Sequence, residues 1–148
     1  MPLNSPLTSS TARLTRGLYL TVATLCLSLC LGTAAQAQEK AEIKYAQVND
    51  VKLAYYLRGK GEPMILIMGY AATMSAWDPA LPAALSKNTQ PILFANRGAG
   101  LSTDTKDNRT TIPQMADDAA GLVKALGFKK VNIFSWSMGA RIGQQLVI

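Results

Sequence analysis

From Ile43 to Val48, and again from Val51 to Arg58, β-branched and aromatic residues alternate with others on either side of Asn49-Asp50, a compact turn pair. The pattern predicts an opening hairpin. Gly59-Lys60-Gly61 and Glu62-Pro63 interrupt it, and Met64-Ile65-Leu66-Ile67-Met68 follows as an apolar run without alternation, which suits a strand buried on both faces. The run stops at Gly69. Tyr70 to Trp77 reads as a loop, and Asp78-Pro79 opens a short helix toward Ser86. Pro91-Ile92-Leu93-Phe94-Ala95 repeats the buried-strand pattern.

Asn96 to Thr110 is rich in Gly, Ser, Thr and Asp and has no period, so it reads as a loop. Ile112, Met115, Ala116, Ala119, Leu122, Val123 and Leu126 then recur at three- and four-residue spacing. Thr111 with Gln114 matches a capping box, and Gly127 stands where the helix should end. The opposite face of this helix carries Asp117, Asp118 and Lys124, and both aspartates are expected to point outward. Val131-Asn132-Ile133-Phe134 is a fifth strand that runs into Ser135-Trp136-Ser137-Met138-Gly139-Ala140 and a last helix.

Strands alternating with helices predict an α/β fold: right-handed crossovers and a mostly parallel sheet with helices on both faces. Ligands of such sheets sit outside the carboxyl ends of the strands. Three unusual segments, Met68 to Ala72, Asn96 to Ser102 and Ser135 to Gly139, lie at those ends, and their shared edge is the candidate site.

The first 37 residues have the makeup of an export signal. Arg13 and Arg16 give the positive end, Leu18 to Leu31 the apolar stretch and Ala35-Gln36-Ala37 a small-x-small cleavage site. Two segments are therefore expected, a signal peptide over 1–37 and a mature chain over 38–148 that is one α/β domain or the N-terminal part of one. A transmembrane anchor fits less well, because the fourteen residues of the apolar stretch reach about 21 Å as a helix against a hydrocarbon core of about 30 Å. A lipoprotein is disfavoured because Leu25 and Leu29, not small residues, precede Cys26 and Cys30. Cleavage removes both cysteines, leaving a mature chain with no disulfide, no thiol nucleophile and no Cys-based metal site. No stable membrane anchor remains, and a periplasmic or secreted destination follows.

Of the fifteen Lys and Arg, thirteen remain after cleavage against nine Asp and Glu, a net charge of +4 that is scattered along the chain. It forms no stripe that would suit nucleic acid, so no nucleic-acid partner is expected. No metal-ligand cluster and no phosphate loop is present, and Gly98-x-Gly100 lacks the third glycine of a dinucleotide motif. No cofactor is implied.

A serine hydroxyl needs a fixed, exposed position and an adjacent base to act as a nucleophile. A sharp strand-to-helix turn supplies the position, and it demands small residues two places before and after the serine so that strand and helix can pass closely. Ser135 and Gly139 stand there around Ser137. The same turn aims the Met138 amide, at a helix start, toward a developing oxyanion, and the Tyr70 amide after Met68-Gly69 is placed to be the second donor. Arg97 and Ser102 read as loop scaffolding rather than catalytic groups, and Met68, Met115 and Met138 as packing. Trp77 and Trp136 suit either an acyl pocket or core and rim packing.

Over Lys44 to Ile148 the sequence resembles the α/β-hydrolase superfamily, in the branch of esterases, lipases, proline iminopeptidase-like peptidases and non-haem haloperoxidases. The resemblance is carried by Met68-Gly69-Tyr70 in the oxyanion loop, Asn96-Arg97-Gly98-Ala99-Gly100-Leu101-Ser102 in the Arg-Gly-x-Gly-x-Ser loop, and Ser135 to Gly139 at the nucleophile elbow. It departs from the family at Met68, where His is usual, at Ala95, where Asp is frequent, and at Ser135, where Gly is commoner. The resemblance implies a small-molecule acyl substrate, with Ser137 as nucleophile, Tyr70 and Met138 as oxyanion-hole amides, and Ser135, Gly139, Gly69, Arg97 and Gly98 as elbow and loop support. Serine at the elbow separates the chain from haloalkane dehalogenases and epoxide hydrolases, which use aspartate there.

The family's histidine base and orienting acid follow the nucleophile, yet the 148 residues contain no histidine. Asp117 and Asp118 precede Ser137. As written the chain is expected to be close to inert and to represent the front half of a hydrolase, with Val131–Phe134 left as an uncovered edge. The alternative is a catalytically dead binding protein of the same fold. Substrate and oligomeric state are not legible.

Overall fold

The computed structural model describes residues 41–104 and 110–147. The expected signal peptide, its boundary at residues 37 and 38, and Cys26 and Cys30 lie outside the described residues. Among the described residues, no helix is long and apolar enough to cross a membrane.

Strands β1 (Lys44–Val48) and β2 (Val51–Leu57) form the opening hairpin, with Asn49 in the left-handed region at φ 49°. Strands β3 (Glu62–Ile67), β4 (Thr89–Phe94) and β5 (Asn132–Ser135) follow, and the five make one sheet in the order β1-β2-β4-β3-β5. Pairing is parallel between β3 and β4 and between β3 and β5, and antiparallel at β1-β2 and β2-β4. The sheet is thus mixed, and its parallel part is the one whose strand ends meet at the candidate site. β3 and β4 each start two residues before their apolar runs, because Glu62-Pro63 pairs with Thr89-Gln90 through the main chain, which does not require apolar side chains.

Alternation along the strands sorts the core into two layers. Leu53, Ile65, Ile67, Ile92 and Phe94 point to one face, where helix α2 (Ile112–Ala125) covers them with Ala116, Ala119 and Leu122, and helix α3 (Met138–Leu146) with Ile142. Ala54, Leu66, Met68, Leu93 and Ala95 point to the other, under Met74, Trp77 and helix α1 (Ala80–Leu85). Helices on both faces explain why the apolar runs of β3 and β4 do not alternate. The loop expected from Tyr70 to Trp77 contains a short 3-10 turn, Met74–Ala76, fixed by burial of Met74.

α2 opens on the capping box expected from sequence: the Thr111 side chain accepts from the Gln114 amide at 3.3 Å, and the Gln114 side chain accepts from the Thr111 amide at 3.1 Å. Asp117 and Lys124 lie outward, but Asp118 does not. It is 1% exposed, and its carboxylate accepts from Arg97 Nε at 2.6 Å, Arg97 Nη2 at 2.9 Å and Asn49 Nδ2 at 2.9 Å. Arg97 Nη2 also meets Asp50 Oδ1 at 2.9 Å. The sequence expectation for Asp118 is corrected because its partner comes from the loop after β4, out of reach of any periodicity argument within the helix. Hydrogen bonding to Asp118 raises the Arg97 guanidinium pKa, and burial opposes it, so the guanidinium stays charged. The network joins the β1-β2 turn, the loop after β4 and α2.

Arg97 and Ser102 both hold the loop after β4 through buried hydrogen bonds. Ser102 Oγ donates to the Ala95 carbonyl at 2.7 Å and accepts from the Ala54 amide at 2.9 Å. Thr103 exchanges bonds with Lys52 through its amide and its hydroxyl, so the loop is stitched along β2. Gly98 has φ 69°, and the place of a β-carbon there is taken by Asp104, with Oδ2 at 2.6 Å.

Replacing Asp118 with Ala strands the Arg97 charge in the interior. The expected loss is about 3 kcal/mol of unfolding free energy, read from urea denaturation, with Asp118→Asn losing less.

Candidate active site

The candidate site is built where β5 ends. The Trp136 amide donates to the Ile67 carbonyl at 3.0 Å, carrying the β5-β3 pairing one step past the strand. The chain then reverses into α3 through Ser137, at φ 56° and ψ −124°, a conformation that strains any residue with a β-carbon. The Gly139 amide closes the turn on the Trp136 carbonyl at 2.9 Å, and the Ala140 amide on that of Ser137 at 2.9 Å.

Packing forces this geometry. A β-carbon at Gly139 would overlap the Ile67 carbonyl oxygen and lie 2.9 Å from that of Met68, so only glycine lets α3 pass against β3. Ser135, in place of the commoner glycine, has its room supplied by Gly143 one turn into α3. A β-carbon on Gly143 would sit 3.3 Å from Ser135 Oγ and 3.6 Å from its Cβ. The serine is accommodated by a second glycine that the elbow motif does not contain.

Across the cleft, Gly69 lies against the nucleophile candidate: a β-carbon there would be 3.0 Å from Ser137 Cβ and 3.4 Å from its Oγ. The turn after β3 is held by the Ala72 amide on the Gly69 carbonyl at 3.4 Å, with Ala71 at φ 53°. Buried Asn96 anchors the same turn, its Nδ2 donating to the Met68 carbonyl at 3.1 Å. The family motif gave Asn96 no role. Its signal in the sequence is a polar residue directly after a fully apolar strand. Among the described residues, the main-chain bonds of turns and caps use neither the Tyr70 nor the Met138 amide, and Met138 is the first residue of α3, where helix amides lack internal partners.

Ser137 is exposed and opens on a cleft of about 560 Å³. Met68, Gly69, Tyr70 and Trp136 surround the serine, and Ala72, Ala76, Trp77, Leu81 and Phe134 make an apolar wall with Asp78 beside it. Trp77 meets Phe134 edge to face at 5.6 Å between centroids. It is therefore both core and cleft wall, whereas Trp136, 64% exposed, forms the rim. Met68 is buried, and Met115 and Met138 pack against the core. The structure gathers Ser137, Tyr70, Met138, Ser135, Gly139 and Gly69 at the strand ends, and Arg97 and Gly98 line a neighbouring cavity with Gly69, Tyr70 and Met138. Among the described residues, no group of three His, Cys, Asp or Glu side chains could hold a metal.

If the backbone at Ser137 is strained by its β-carbon, Ser137→Gly should exceed Ser137→Ala in stability by about 1 kcal/mol in thermal or urea unfolding. Gly139→Ala should cost about 3 kcal/mol or more in the same assay.

Comparison with known proteins agrees with this geometry. The family profile of the alpha/beta hydrolase fold matches residues 62–148. BpoC of Mycobacterium tuberculosis, named as a non-heme bromoperoxidase, is 35% identical over 99 residues, which are 66% of this chain and 37% of its own. RutD of Azorhizobium caulinodans, named as a carbamate hydrolase, is 31% identical over 104 residues, 70% of this chain and 38% of its own. Among solved structures, an alpha/beta hydrolase fold protein from Chitinophaga pinensis superposes with a TM-score of 0.67 at 32% identity, covering 73% of this chain and 39% of that one. The enol-lactonase from Burkholderia xenovorans gives 0.64 at 32%, covering 68% and 39%. The chain thus spans 37–38% of the length of these curated relatives. By its profile match, its relatives and its elbow, the chain belongs to the α/β-hydrolase fold family.

Proposed function

We propose that the protein is an exported serine hydrolase of the α/β-hydrolase family, cleaving an ester or related acyl bond through an acyl-enzyme at Ser137. The observation that carries this reading is the strained, exposed Ser137 at the strand-to-helix elbow, facing Gly69 and opening on an apolar cleft. Export is supported by Arg13 and Arg16, the apolar stretch from Leu18 to Leu31 and the Ala35-x-Ala37 site.

In this mechanism Ser137 Oγ attacks the acyl carbonyl while its proton passes to a histidine. The negative charge forming on the carbonyl oxygen is received by the Tyr70 and Met138 amides, each contributing roughly 3 kcal/mol of transition-state stabilisation. The histidine returns the proton to the departing alcohol or amine, and water then hydrolyses the acyl-serine by the reverse proton path. The 148 residues contain no histidine, so this mechanism requires a base from outside them. The same lack of histidine supports the second reading, a binding protein that keeps the fold without the chemistry.

The test is kinetic. A polypeptide that continues past Ile148 to an acid and a histidine should hydrolyse p-nitrophenyl acetate, with Ser137→Ala lowering kcat by at least about 10⁴-fold. The 148 residues alone should be no faster than that variant. Equal rates for the longer polypeptide and its Ser137→Ala form would leave the binding role as the answer.

A further inference from the structure

The protein is basic, with fifteen Lys and Arg against nine Asp and Glu, yet among the described residues the side chains around the cleft include no cation. Among the described residues the one charged side chain there is Asp78. It stands at the start of α1, where one carboxylate oxygen accepts from the Ala80 amide at 2.8 Å, and among the described residues no lysine or arginine pairs with it. Four aromatic side chains share the cleft with it: Tyr70, Trp77, Phe134 and Trp136. Tyr70 is 82% and Trp136 64% exposed, so both present open ring surface to a ligand.

An apolar acyl group needs neither the carboxylate nor so many rings. Asp78 is solvent-exposed, so it attracts a cation with a screened charge at the cleft edge, and aromatic faces add their quadrupole attraction, most strongly where a ligand displaces water. A neutral substrate can pack on the rings but gains nothing from the carboxylate, and an anionic one is repelled. From the unpaired Asp78 and the aromatic walls we propose that the cleft selects a substrate with an ammonium group, the cation lodged between Asp78 and the aromatic side chains while the acyl carbonyl lies at Ser137. This assignment rests on the reading of the cleft as the acyl-substrate site and names the substrate class.

The chain's two tryptophans, Trp77 and Trp136, both line the cleft, so intrinsic fluorescence of the full chain reports binding without any catalytic turnover. The ligands are choline and its uncharged isostere 3,3-dimethylbutan-1-ol. Choline should bind at least about tenfold more tightly, with the advantage shrinking as salt rises. Asp78→Asn keeps an oxygen for the Ala80 amide, hence the start of α1, and should remove most of the choline preference while leaving the alcohol's affinity unchanged. Trp136→Leu, at an exposed rim position, should weaken choline more than the alcohol. Equal binding of the two ligands, or a preference that survives Asp78→Asn, would overturn the proposal. Neither result bears on Ser137 chemistry, because choline and its isostere carry no acyl group and the readout is binding alone, so failure here is distinct from failure of the hydrolase reading.

Discussion

The close passage of α3 against β3 is the constraint on which the rest of the site depends. The Ile67 carbonyl receives the Trp136 amide and at the same time occupies the space where a side chain at Gly139 would be. Strand and helix can approach this far only with glycine at that point, and the chain between them must reverse within two residues. The reversal places Ser137 at φ 56° and points it away from the sheet toward Gly69. Ser135 over Gly143 repeats the requirement one turn further along. Strain at the serine is sustained by packing on either side of it, which fits a position whose side chain is presented for chemistry.

A second lock holds the loops at the strand ends. Arg97 and Asp118 are both almost fully buried, and a buried ion pair contributes little net stability because desolvation offsets attraction. Its value here lies in geometry. By tying the β1-β2 turn, the loop after β4 and α2 to one guanidinium, it fixes where the loop from Asn96 to Asp104 leaves the sheet. From that loop Asn96 reaches the Met68 carbonyl and holds the turn that presents the Tyr70 amide. A chain of polar contacts therefore connects the outer scaffold to the candidate oxyanion site.

Much of this was legible in the sequence because the relevant signals are local. The apolar runs of β3 and β4, the Thr111-Gln114 box and the small residues flanking Ser137 each declare an element or a turn within a few residues. What was not legible depends on contacts between distant segments. Helical periodicity assigned Asp118 to solvent because the helix alone cannot show that Arg97, 21 residues earlier, turns back onto it. Nothing local sets Asn96 apart from its loop neighbours; its role comes from the Met68 carbonyl, 28 residues earlier. The antiparallel joining of β2 to β4 likewise follows from the sheet order, which no single strand encodes.

The central claim is that Ser137, among all the serines, is the nucleophile set by the elbow. The direct measurement is to treat a polypeptide that continues past Ile148 to an acid and a histidine with a fluorophosphonate, then map the modified peptide by mass spectrometry. The account predicts one adduct, on Ser137, that forms slowly or not at all when Gly139 is replaced by Ala. Labelling at another serine, or no labelling while the protein is folded and a histidine is present, would contradict it.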